Sequence, residues 1–65
     1  MSTATARRLR AAGQRVTAQR LAVASALSAS RRQVTAQELW ERMRPRHRRL
    51  GRATVFRTLE ALSDA

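Results

Sequence analysis

The scarcity of large apolar side chains is what most restricts the fold of this chain. Its 65 residues include only 14 of them beyond the initiator methionine: seven Leu, four Val, Met43, Trp40 and Phe56. A domain of this size buries only about 60% of the surface that its unfolded chain exposes. The composition therefore allows one small hydrophobic core and no second one.

Positive charge dominates the rest of the sequence. Fourteen arginines and no lysine stand against four carboxylates, which gives a formal net charge of +10. Such a charge predicts a polyanionic partner, with nucleic acid first. The chain has no cysteine and one histidine, too few donors for a metal site of its own. Without a Gly-rich phosphate loop, a paired acid and base or an apolar run of about 18 residues, neither an enzyme nor a membrane span is expected.

Start and stop signals predict a mainly α fold with four helices, at about residues 5–12, 18–29, 36–44 and 52–63. Gly13 suits the position that follows the first helix, and Thr17 is a plausible N-cap of the second. Thr35 and Glu38 have the spacing of a capping box at the start of the third helix. Pro45 is expected to end that helix and to push the preceding residue out of the helical region.

The apolar residues of the first three helices predict how they pack. Leu9 is the main apolar contact of the first helix. The second helix is small or apolar around almost its whole circumference, which is typical of a helix packed centrally. In the third helix, Leu39, Trp40 and Met43 share one stripe, so Trp40 is expected in the core rather than stacked on a base. His47 lies in a basic connector, where a solvated or phosphate-facing role is expected.

The fourth helix has a core side and an outer side. Four residues share the core side: Val55, Thr58, Leu59 and Leu62. Ala53, Arg57 and Glu60 lie opposite, with Phe56 on the flank. An exposed arginine beside an aromatic suits a helix that reads the major groove, because arginine binds guanine edges and an apolar group contacts thymine methyls. A surface helix with an Arg57–Glu60 pair, and with Phe56 under a neighbouring loop, fits the same pattern equally well.

Three motifs resemble strings of one family, in the right order and spacing over about residues 7–65. Residues 13–20, GQRVTAQR, are similar to its G-x-R-x-T-x-x-R string. Residues 34–40, VTAQELW, resemble its V-[ST]-A-x-[ED]-[LI]-[YW] string. Residues 53–59, ATVFRTL, resemble its most specific string, A-T-V-Y-R-T-L. On these motifs the chain resembles the ferric uptake regulator family.

The resemblance implies a winged helix-turn-helix domain that binds double-stranded DNA in a metal-responsive transcription regulator. The fourth helix would be its recognition helix. Base-reading positions would be Arg57, Phe56 and Arg15. Positions near the DNA backbone would be Thr17, Arg20, Arg52 and Thr54.

The same resemblance implies that residues 1–65 are a truncated N-terminal domain without its wing. The C-terminal domain for metal binding and dimerisation would be absent. An intact member would be a cytoplasmic homodimer, away from membranes, with zinc or iron in that C-terminal domain. No metal or other cofactor is expected in this chain.

Three positions depart from the family pattern. Phe56 lacks the hydroxyl of the usual tyrosine, so any hydrogen bond through that group is lost while an apolar contact remains. Gly51 replaces the usual serine N-cap of the recognition helix, at a cost of a few tenths of a kcal/mol. Gln33 occupies a place where many iron-sensing members carry a histidine ligand.

Other readings of the sequence remain open at this point. The chain could be a basic helical module associated with RNA, or a helical adaptor whose charge is incidental to protein interaction. The absence of acidic residues before Glu38 also fits an organellar transit peptide. Against the transit peptide, the turn signals are placed for structured helices.

Overall fold

The computed structural model describes residues 3–30 and 32–63, and it contains four helices there. These are α1 (Thr3–Ala11), α2 (Ala18–Ala29), α3 (Ala36–Met43) and α4 (Arg52–Ser63). The described residues include no β-strand. The mainly α prediction is confirmed, and each predicted helix end lies within two residues of the observed one.

Helix α1 ends in the motif that Gly13 predicted. Gly13 has a φ of 76°, in the left-handed region that favours glycine. The Gln14 N–H donates to the Leu9 carbonyl at 2.8 Å, and the Gly13 N–H donates to the Arg10 carbonyl at 2.9 Å. This pair of bonds is a Schellman motif. Leu9 itself is fully buried, which confirms it as the apolar contact of α1.

Helix α2 contacts α1, α3 and α4, as its apolar circumference predicted, and α4 likewise contacts the other three helices. Its N-cap is Thr17, whose hydroxyl accepts from the Arg20 N–H at 3.1 Å. Val23 and Ala24 are buried. One side of α2, carrying Leu21 and Ser28, borders an open apolar groove of about 690 Å³.

Helix α3 begins with the predicted capping box. The Thr35 hydroxyl accepts from the Glu38 N–H at 3.0 Å, and the Thr35 N–H donates to the Glu38 carboxylate at 2.9 Å. The bonds from Thr35 hold the pKa of Glu38 below its ordinary value, and the charge of Arg32 acts in the same direction. Both bonds satisfy N–H groups that a helix start would otherwise leave without a partner.

The lowered pKa of Glu38 gives the domain a defined acid sensitivity. The folded chain binds the Glu38 proton more weakly than the unfolded chain does, so the ionised Glu38 carboxylate stabilises the folded state. This contribution to the free energy of unfolding is complete above about pH 4.5 and is lost as the pH falls through the folded-state pKa. A Glu38→Gln variant keeps a capping side chain without the charge. We expect the urea concentration at the midpoint of unfolding to fall less between about pH 6 and pH 3 in this variant than in the wild type. Equal falls in the two proteins would contradict the role of the Glu38 charge.

The expectation that Pro45 pushes the preceding residue out of the helical region is wrong. Arg44, the C-cap of α3, has φ −56° and ψ −32°, and its N–H donates to the Trp40 carbonyl at 2.9 Å. The N–H groups of Arg46 and His47 both donate to the Met43 carbonyl, at 3.1 and 3.0 Å. Proline disfavours a helical residue before it but does not forbid one. Here these hydrogen bonds hold one further turn beyond the last residue of α3.

The hydrophobic core lies where α2, α3 and α4 meet. Its buried residues form one cluster: Val23, Leu39, Met43, Leu50 and Val55. Trp40 and Leu59 are partly buried against it, which confirms the packing predicted for both. On α4, Val55 and Thr58 are fully buried, whereas Leu59 and Leu62 are only half-buried. The buried Thr58 hydroxyl donates to the Thr54 carbonyl at 2.7 Å, so burial leaves no donor unpaired.

Candidate nucleic-acid interface

The outer side of α4 is exposed to solvent, as its helical period predicted. Ala53, Phe56, Arg57 and Glu60 are all exposed. Phe56 keeps 49% of its surface accessible, although large apolar side chains normally avoid water. The alternative in which Phe56 lies under a neighbouring loop is therefore wrong. Helix α4 presents an aromatic ring and a guanidinium next to each other on an open surface.

The connection between α1 and α2 is fastened to the middle of α4. The Gln14 side-chain amide donates from Nε2 to the Arg57 backbone carbonyl at 2.6 Å. The other atom of that amide, Oε1, is buried and has no partner among the described residues. This bond ties the segment that carries Arg15, the neighbour of Gln14, to α4. Sequence reasoning missed Gln14, because no local pattern links two residues 43 positions apart.

The Arg20 side chain stabilises the connection between α1 and α2 by a hydrogen bond. Its Nη1 donates to the Arg15 carbonyl at 2.9 Å, and its Nε is buried without a partner in the described part of the chain. The Arg20 backbone N–H is meanwhile capped by Thr17. Arg15 itself is exposed, while Thr17 and Arg20 are half-buried. Three of the predicted residues thus lie together at the start of α2, with Arg15 the most accessible of them.

Trp40 joins the end of α3 to the start of α4. Its indole N–H donates to the Leu50 carbonyl at 2.9 Å, one residue before Gly51. The guanidinium carbon of Arg52 lies 4.8 Å from the centre of the Trp40 ring, and that of Arg44 lies 5.0 Å from it. Two residues of α4 were predicted to contact the DNA backbone, and one of them, Arg52, is thus held against an aromatic ring. Thr54 is half-buried, one turn before Thr58.

The charge from the end of α3 to the middle of α4 is of one sign, whereas Glu60 adds one exposed carboxylate further along α4. Residues 42–59 contain seven arginines and no acidic residue. This stretch covers the end of α3, the connector with His47 and most of α4. A dense positive field of this kind attracts anions and steers them towards the surface.

The described residues do not fit a zinc or iron site. Within residues 3–30 and 32–63, no three His, Cys, Asp or Glu residues come together as a metal would require. Gln33, at the position of a possible family ligand, is exposed.

None of the helices within the described ranges has the length and apolar character to cross a membrane.

Four packed helices, in which a capped helix α3 is followed by a basic, exposed helix α4, define a helix-turn-helix protein. Residues 11–65 match the family model of the ferric uptake regulator family, and they include all three motifs. The chain belongs to this family, whose members are metal-responsive, DNA-binding transcription regulators. Searches among curated proteins and among solved structures found no match.

Proposed function

We propose that this chain binds double-stranded DNA sequence-specifically, as the DNA-reading part of a metal-responsive transcription regulator. The observation that carries the proposal is the exposed pair of Phe56 and Arg57 on α4, which follows a stretch rich in arginine. A guanidinium on an exposed helix can bind guanine O6 and N7 bidentately, and an aromatic ring can contact a thymine methyl group.

The other predicted residues take roles that suit their surroundings. Arg15 enters the minor groove beside the major groove that α4 occupies, since Gln14 fastens its segment to α4. Arg52, Thr54 and Thr17 contact backbone phosphates, which position the protein without reading sequence. Arg20 also contacts a phosphate through the guanidinium N–H groups that its bond to the Arg15 carbonyl leaves free.

Membership of the family supports a proposal for the wider assembly. The chain acts as the N-terminal domain of a cytoplasmic regulator. A C-terminal domain, outside these residues, supplies the zinc or iron site and the dimer contacts. Two copies then present two α4 helices to one operator, because a two-fold symmetric dimer reads two half-sites.

The salt dependence of binding tests the partner class. Each phosphate that a protein neutralises on duplex DNA steepens the fall of log K with log salt by about 0.9. We expect the affinity for duplex DNA to fall at least about 10-fold between low and physiological salt, because two or more arginines contact phosphates. The measurement is a fluorescence anisotropy titration of a labelled duplex.

The matched comparison is a structured RNA of equal length and charge. Equal or tighter binding to that RNA at the same salt would favour the RNA-associated alternative and overturn the proposal. Weak binding to both nucleic acids would favour the protein-interaction alternative.

A further inference from the structure

Two arginines, Arg44 and Arg52, lie against the ring of Trp40 where α3 meets α4, and only Arg52 was predicted to contact DNA. We propose that Trp40 positions Arg44 and Arg52 as a pair that binds backbone phosphates of duplex DNA without reading sequence. This inference rests on the proposed function and adds two residues to it, with Arg44 as a phosphate contact and Trp40 as a positioning residue.

The geometry fixes both guanidiniums to one ring. Arg44 lies four residues after Trp40, on the same side of the last turn of α3. Arg52 is the first residue of α4. Their guanidinium carbons lie 5.0 and 4.8 Å from the ring centre, so the two carbons are at most about 10 Å apart. One indole ring therefore sets where two arginines from different helices stand.

The electrostatics of this pair call for an anion. Two positive charges at most about 10 Å apart repel each other at low salt, and physiological salt, with a screening length of about 8 Å, weakens this repulsion without removing it at shorter separations. The negative face of an indole ring offsets part of this repulsion, but it carries no net charge. No acidic residue occurs between Glu41 and Glu60, and the Glu41 carboxylate already accepts from the Gln37 amide at 3.2 Å. A phosphate at the pair would supply the missing negative charge.

The way in which the arginines are held leaves them free to bind. A guanidinium with its face over an aromatic ring keeps its N–H edge available, and that edge matches two oxygens of a phosphate. Both arginines are exposed. The bond from the Trp40 indole to the Leu50 carbonyl also fixes the ring relative to the turn that begins α4. The pair is thus pre-organised, which lowers the entropy lost on binding.

The test compares salt slopes on a random duplex of about 20 base pairs. We expect Arg44→Ala to make the slope of log K against log salt shallower by about 0.9. The ratio of wild-type affinity to variant affinity should then shrink about 3- to 4-fold between about 50 and 200 mM salt. Arg32→Ala is the matched control: Arg32 is exposed and acts on Glu38 at the opposite end of α3. It should leave the slope unchanged. An unchanged slope in Arg44→Ala, or equal changes in both variants, would overturn the inference.

Two further measurements address Trp40 itself. Trp40→Phe keeps an aromatic face and should keep most of the wild-type salt slope. Trp40→Leu should make the salt slope shallower by as much as Arg44→Ala does, or by more. Trp40 is the only tryptophan and the chain has no tyrosine. The tryptophan fluorescence of the unmodified protein therefore reports on the surroundings of Trp40, between α3 and α4. We expect the emission to change along the same isotherm as duplex binding. Should Trp40→Leu fail to fold, a flat emission at saturating duplex would still refute the positioning role.

The outcomes separate this inference from the proposed function. Tight binding with no preference for any sequence, but with the expected loss of slope in Arg44→Ala, would contradict sequence reading and support the phosphate pair. Sequence preference with an unchanged slope in Arg44→Ala would support sequence reading and contradict the phosphate pair. No binding to any duplex would overturn both.

Discussion

Replacing Arg57 with alanine is expected to lower affinity for a preferred duplex about 5- to 150-fold and to leave affinity for random duplex much less affected. The range corresponds to the roughly 1–3 kcal/mol that a bidentate arginine–guanine contact contributes. The exposed guanidinium of Arg57 is the group that can make such a contact, since it lies on the outer side of α4. The preferred duplex is selected from a random pool by the wild-type chain, and both affinities are measured at one salt concentration.

Arg52→Ala is the matched control for Arg57→Ala. Both residues are exposed arginines of α4, and each substitution removes one charge. A phosphate contact carries no sequence information, so Arg52→Ala should lower both affinities by the same factor. Arg20→Ala is less suitable, because Arg20 also donates to the Arg15 carbonyl and its loss would disturb Arg15, which is itself proposed to read bases. If Arg57→Ala behaves like Arg52→Ala, Arg57 does not read bases.

Replacing Leu39 with alanine is expected to remove a large share of the stability of the domain. Leu39 is fully buried in the cluster between α2, α3 and α4, and a substitution of this kind costs roughly 2–5 kcal/mol. A chain of this length has only about 3–10 kcal/mol of stability in total. The loss should shift the thermal midpoint by about 8 °C or more. Circular dichroism during heating measures it, and the addition of duplex DNA should restore part of the loss by mass action.

Leu59→Ala provides the comparison within the same core. Leu59 is only half-buried, so its truncation removes less apolar surface from the interior and should cost less than that of Leu39. The sequence pattern placed Leu59 on the core side of α4 but could not show that Val55 and Thr58, on the same side, are buried more deeply. A larger midpoint shift for Leu59→Ala than for Leu39→Ala would mean that the centre of the core lies elsewhere.

The helices could be predicted because their signals are local. A capping box joins residues three apart, and a Schellman motif is completed within six residues, so Thr35, Glu38 and Gly13 determine these ends whatever surrounds them. The outer side of α4 followed from a period of 3.6 residues in the same way. The expectation for Arg44 failed because the preference of a residue before proline is weak, and three backbone hydrogen bonds in the turn outweigh it.

The sequence by itself thus determined four helices, their order, the charge and the side of α4 that carries Phe56 and Arg57. Only the tertiary structure decided which distant groups meet: Gln14 with the Arg57 carbonyl, and Arg52 with the ring of Trp40. Such contacts depend on how the four helices pack against one another, and that packing is set by many apolar side chains at once. A side chain that bonds 43 residues away leaves no periodic trace in its own neighbourhood, so the contacts of Gln14 and Trp40 appear only in three dimensions.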